Sequence, residues 1–219
     1  MHFSAEPYTS SSWFSWSALT WFGDSGLLLP AAAALGLAFL IAPGSRAMAV
    51  RWAIAFGGVG LLTLVTKIAF MGWGIGSAAA DFTGLSGHSA LSAAFWPVVA
   101  WLVGRNRRQP MRGLLIVSGF MFAAAIGFSR IPLDAHSPSE VLAGLLVGFL
   151  GSAWFMSQSR ESRSPLRIFV SGAMVFVAGL VVFQHGRPAP TTQLIEVTVV
   201  RLLGVTEPYT RADLHTGRI

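Results

Sequence analysis

The chain has 219 residues, of which 53% are hydrophobic and only 11% charged, and its mean hydropathy is +0.63. A soluble domain carries about a quarter of its residues as Asp, Glu, Lys and Arg, so this composition excludes one and indicates an integral membrane protein. The net charge of +6 comes from arginines spread between apolar stretches, not from one basic face, which argues against a nucleic-acid partner; the lack of cysteine excludes disulfides, thiolate nucleophiles and cysteine-based metal sites.

In chain order, residues 10–22 interleave Trp13, Phe14, Trp16, Trp21 and Phe22 with serines. This suits an interfacial helix at headgroup level or the aromatic end of a first span. The turn-forming run Gly23-Asp24-Ser25-Gly26 follows. Apolar stretches then occupy 27–42, 52–71, 90–103, 111–128, 141–156 and 168–183. Several are shorter than the ~20 residues that cross ~30 Å of hydrocarbon, and their Gly, Ser and Trp flanks supply the remainder. The expected architecture is an all-α membrane bundle of about six helices.

The loops between these stretches alternate in character. Arg46 and Arg51, then Arg105, Arg107, Arg108 and Arg112, then Arg160, Arg163 and Arg167 fall in loops that six spans place on one side. The positive-inside rule makes that side cytoplasmic. Residues 1–26 carry no Lys or Arg, lack the basic start of a signal peptide, and are expected outside. The expected organisation is thus an outer segment at 1–26, a membrane domain at 27–184 and an outer tail at 185–219. Within the tail, the β-branched portion 191–200 is expected to form a strand or to pack on the bundle's outer face. No internal repeat is present.

Two short stretches carry the chemistry. Ser86-Gly87-His88-Ser89 opens the third span, where serine suits a helix cap, glycine permits close backbone approach, and the helix start offers N–H groups to an anion. Ser129-Arg130 ends the fourth span, and His136-Ser137-Pro138-Ser139-Glu140 opens the fifth as a capping box with proline at the first helical position. Glu140, four residues beyond His136, is placed to reach its Nδ1 and leave the other nitrogen as a nucleophile or base. By parity of the spans both stretches lie on the outer side. His88, His136 and Glu140 also make a conceivable set of metal ligands, against which Arg130 weighs by its charge. Asp81 and Asp134 read as solvated loop acids, and His185 and His215 have no motif around them.

The pattern Ser-Arg-x5-His-x3-Glu, preceded by Ser-Gly-His, resembles the second and third signature motifs of the phosphatidic acid phosphatase type 2 superfamily. The resemblance implies that Ser129 and Arg130 bind phosphoryl oxygens and that His136 becomes a phosphohistidine. It implies further that Glu140, where the family usually has Asp, orients His136, and that Ser86, Gly87 and His88 bind phosphate and supply the acid. The family works without a metal or other cofactor. Lys67 fits the lysine of the first motif, Lys-x6-Arg-Pro, but Gly74 and Ile75 stand at its Arg-Pro positions, and Leu85 replaces the proline that usually opens the second motif. Arg187, also followed by proline and on the outer side, is a candidate substitute for the missing arginine.

These features lead to the expectation of a lipid phosphate or diphosphate phosphatase at the outer (periplasmic) face of a bacterial inner membrane. Its partners would be membrane lipids and a lipid substrate such as undecaprenyl diphosphate, phosphatidylglycerol phosphate or phosphatidic acid. A phosphotransferase using the same site, or a lipid-phosphate binding or transport protein, are the alternative readings.

Overall fold

The computed structural model of the protein describes residues 15–159 and 191–217. The sixth apolar stretch, 168–183, and Arg160, Arg163, Arg167, His185 and Arg187 lie outside the described residues.

A short helix α1 (Trp16–Trp21) leads into α2 (Ser25–Ile41), started by Asp24, whose Oδ1 accepts the Gly26 amide at 2.8 Å. Helix α3 (Arg46–Trp52), a π-helical turn at Ala53–Gly57 and α4 (Gly58–Trp73) continue one another as a 28-residue rod. Then come α5 (Gly87–Gly104), α6 (Gln109–Phe128) and α7 (Pro138–Gln158), and in the tail α8 (Thr191–Leu203) and α9 (Arg211–Thr216). Trp16–Ile41, Arg46–Trp73, Gln109–Phe128 and Pro138–Gln158 are long and apolar enough to cross a membrane. The described residues therefore form an all-α membrane bundle, with an isolated β-bridge between Ser77 and Phe82. The β-branched run, expected as a strand or as a segment packed on the bundle, is helix α8, which packs on α4 with Val199 and Leu203 beside Gly72. A helix satisfies its own backbone polar groups at an apolar surface, whereas a lone strand leaves them unpaired.

Helix α5 is the hub. In a bundle surrounded by lipid, close backbone approach and side-chain packing hold helices together, and glycines provide that approach here. A Cβ at Gly144 of α7 would lie 2.8 Å from the Ser86 carbonyl oxygen, and one at Gly148 would collide with the carbonyl oxygen of Ala90. From the other side, a Cβ at Gly119 of α6 would sit 2.9 Å from the Trp96 oxygen. Helices α6 and α7 therefore clamp α5 almost backbone to backbone.

One end of the bundle is plugged by aromatic rings. Phe39, Trp52, Phe95 and Phe155 are buried together, with Trp52 donating Nε1–H to the Ala32 carbonyl at 2.9 Å and stacked on Phe56 at 5.1 Å between centroids. The loop arginines mark this end: Arg51 reaches the Gln158 carbonyl, and Arg105 lies over the Trp101 ring. At the opposite end, where α4 and α6 finish and α2, α5 and α7 begin, the bundle opens into a cavity of about 590 Å³.

Candidate active site

The short connection after α6 delivers His136 to the first residues of α7. Ser137 caps that helix, its hydroxyl accepting the Glu140 amide while the Glu140 side chain accepts the Ser137 amide. The same carboxylate serves the histidine. Glu140 is fully buried, and its Oε2 lies 2.7 Å from His136 Nδ1. Its other oxygen accepts two hydrogen bonds from Thr83, from the amide at 2.8 Å and the hydroxyl at 2.5 Å. A carboxylate facing Nδ1 fixes the proton there and leaves Nε2 with its lone pair. Burial pushes the His136 imidazole below the ordinary histidine range, and the Glu140 hydrogen bond opposes that shift.

The two motif stretches are joined through the backbone, because the Ser86 amide donates to the Glu140 carbonyl at 3.2 Å. Next to it, the Leu85 amide donates to Thr66 Oγ1 at 3.1 Å, tying the start of α5 to α4 beside Lys67. Lys67, Gly87, His88, Arg130 and His136 consequently share the wall of one cavity. Arg130 is steadied by Nη1 donating to Thr20 Oγ1 at 2.8 Å, while its Nε is buried without an acceptor among the described residues. His88 faces Asp24, with Nε2 3.8 Å from Oδ2.

Two hydroxyls expected at the phosphate point elsewhere. Ser129 is fully buried and donates to the Ile126 carbonyl at 2.6 Å, closing the last turn of α6. Ser86 occupies the N-cap position of α5, yet its hydroxyl accepts from Ser89 Oγ at 2.9 Å instead of capping the helix. Both bonds are local and cost no long-range ordering, so they win when no anion competes. Gly87 and His88, the first residues of α5, line the cavity, and their amides have no acceptor within the helix.

Gly74, at the position of the missing first-motif arginine, closes α4 in the left-handed region with φ 68°. An L side chain is strained in that conformation, which accounts for glycine there. Arg187, the candidate substitute, lies outside the described residues. The structure instead brings in Arg211 from α9, which sequence reasoning missed. Its Nη2 lies 2.8 Å from Glu140 Oε2 and its Nη1 2.6 Å from Asp81 Oδ2. His215 Nε2 sits 2.8 Å from the other Asp81 oxygen. Asp81 is thus no isolated loop acid: the His215 hydrogen bond first, and then Arg211, hold its carboxyl below the usual range. The signal for α9 was the spacing Thr210-x-x-Asp213, a second capping box; nothing local pointed to the contact with Glu140. Among the described residues no group of three or more His, Cys, Asp or Glu is arranged to hold a metal ion.

Comparison with known proteins places this geometry. The chain is 40% identical over 204 residues to an "Uncharacterized 22.5 kDa protein in cps region" of Klebsiella pneumoniae, covering 92% of this chain and 98% of that one. It is 32% identical over 99 residues to glucose-6-phosphatase 3 of Mus musculus and 31% identical to that of Homo sapiens, in each case 43% of this chain but 28% of the relative. No solved structure matches. The model of the PAP2 superfamily matches residues 66–164, the interval from which Lys67, His88, Arg130, His136 and Glu140 converge. The chain belongs to the PAP2 superfamily, and with it to proteins whose membership supports a phosphatase activity on phosphate esters.

Proposed function

We propose that the protein removes phosphate from a lipid phosphate or diphosphate by way of a phosphohistidine on His136, with its site at the outer face of a bacterial inner membrane. The observation that carries the lipid reading is the shape of the cavity. From the cationic and imidazole groups at its head it continues along α4 past Leu64, Leu61 and Gly60 to Phe56, with Leu91 and Leu29 beside it. Eleven residues of helix from Lys67 to Phe56 correspond to about 16 Å. Leu61 and Leu64 are themselves exposed at the bundle surface, as side chains facing lipid are. Such a wall suits an acyl or prenyl tail entering from the bilayer. A sugar phosphate, which the name of the glucose-6-phosphatase relatives brings to mind, needs polar partners, and of the hydroxyls on this wall those of Ser25 and Thr191 bond each other while Thr63 and Thr198 donate to carbonyls of their own helices.

In the proposed chemistry His136 Nε2 attacks phosphorus in line, forming the N–P bond as the P–O bond to the lipid breaks. His88 gives its proton to the departing lipid oxygen. Neutral His88 then takes a proton from water, whose oxygen displaces His136 and releases inorganic phosphate. Lys67, Arg130 with its unaccepted Nε–H, and the first amides of α5 stabilise charge on the equatorial oxygens. The basic loops at the opposite end of the bundle support the outward orientation of the site.

The test is phosphate release in detergent or nanodiscs from a panel of lipid phosphates and from glucose 6-phosphate, in EDTA, with His136→Ala alongside. The expected result is metal-independent release from long-chain lipid substrates and none from His136→Ala. Undiminished turnover by that variant would sink the phosphohistidine, and better turnover of glucose 6-phosphate than of any lipid would sink the substrate class.

A further inference from the structure

Glu140 stands where an aspartate would be one methylene shorter, so its carboxylate has an extra rotatable bond to immobilise. The structure surrounds it with donors: Thr83 on one oxygen, and His136 and Arg211 together on the other. The charge balance makes Arg211 more than a brace. For His136 to attack it must be neutral, and Glu140 is then a fully buried carboxylate in contact with a neutral ring. A buried anion recruits a proton onto a neighbouring base unless another cation satisfies it. Lys67 and Arg130 share the cavity wall with the imidazole from α4 and the end of α6, with His88 on α5, but among the described residues Arg211 is the Lys or Arg in direct contact with Glu140.

Arg211 is held ready for this. The Tyr209 amide donates to the Met71 carbonyl at 2.9 Å, pinning the tail to the end of α4. Thr210 and Asp213 cap α9 reciprocally, and Asp81, itself paired with His215, takes the second arm of the guanidinium. We propose that Arg211 is a positioning residue: by sharing Glu140 Oε2 with His136 it fixes the carboxylate and keeps the imidazole unprotonated, so that the C-terminal tail sets the nucleophilicity of His136. This rests on the reading of His136 as nucleophile.

The experiment uses the full chain in nanodiscs, comparing wild type with Arg211→Gln, Arg211→Ala and Arg211→Lys. The His136 titration is followed by ring-15N histidine NMR, its signal assigned by difference from His136→Ala, and pH–rate profiles are recorded on a lipid phosphate. Loss of the cation is expected to raise the pH at which His136 titrates and to move the acid limb of the rate the same way. kcat should fall roughly 10–100-fold, as for other partners that orient a reacting group, with KM within about threefold. Arg211→Lys should recover part of both effects. An unchanged His136 titration in folded Arg211→Gln would overturn the proposal, as would a lysine variant no better than glutamine. If Arg211→Ala does not fold, the glutamine and lysine pair decides alone. Should wild type release phosphate from no ester, the phosphatase reading fails while the titration still reports on the coupling.

Discussion

Replacing Glu140 by glutamine keeps its shape and removes its charge, and the structure sets the cost. Thr83 presents two donors to Oε1, while His136, Arg211 and the Ser137 amide present three to Oε2. Glutamine has one acceptor oxygen, so in either orientation its NH2 group opposes at least two donors. Each hydrogen bond to a charged acceptor contributes about 1.5–3 kcal/mol, giving an expected loss of roughly 3–6 kcal/mol. This agrees with the ~3–5 kcal/mol seen when one partner of a buried ion pair is removed. Against a typical total of about 5–15 kcal/mol, Glu140→Gln should unfold at distinctly lower temperature in detergent. Turnover should fall about 10²–10⁴-fold, the usual range for losing an acid–base arrangement. Glu140→Asp, which retains the charge, should lie between glutamine and wild type in both measurements. If Glu140→Gln unfolded within about 1 kcal/mol of wild type and released phosphate normally, the carboxylate would be neither a structural nor a chemical hub.

The acid limb of kcat/KM that belongs to His136 should lie below the ordinary histidine range. Burial lowers its proton affinity, so the ring stays neutral as pH falls through the value at which a solvated histidine protonates; a pH–rate profile with a midpoint at or above that value contradicts this. Gly60→Leu should leave unfolding temperature unchanged, since a Cβ there meets only Leu91, at 3.8 Å, yet discriminate against long-tailed substrates in a chain-length series. Gly148→Val should give poorly folded protein by size-exclusion chromatography, because its side chain must displace the Ala90 backbone. Asp81→Asn retains a residue type that tolerates φ 47° and loses the half-exposed pairs with Arg211 and His215, so thermal unfolding should register no more than about 1 kcal/mol for each.

The part of the site legible in the sequence is the part made by neighbours in the chain. His136 and Glu140 are four residues apart at a helix start, and Ser137 caps within the same turn, so spacing alone fixes their meeting. The convergence of the two motif stretches at one end followed from the parity of the apolar segments. Contacts made across the fold left no such trace. Arg211 reaches Glu140 over 71 residues, and Asp24, readable only as part of a turn, comes to face His88 through the packing of α2 beside α5. The Ser86 and Ser129 hydroxyls each have a nearer partner in their own turn, which the spacing alone did not reveal. In the tail, side-chain branching suggested an extended segment or one lying along the bundle, and the chain formed a helix in which Val199 packs inward while Leu194 and Leu202 remain exposed.

The glycine-mediated clamp on α5 divides the molecule into a stator and an adjustable wall. His88, Arg130 and the His136–Glu140 pair hang from α5, α6 and α7, whose backbones have no room to slide. The apolar wall of the cavity is drawn mainly from α2, α4 and α8, where Leu29, Leu61, Leu64 and Leu194 are exposed. If the protein acts on lipid phosphates as proposed, substitutions confined to that wall would retune which lipid is admitted while the proposed reacting groups keep their positions, so substrate range and chemistry would be separately adjustable in this scaffold.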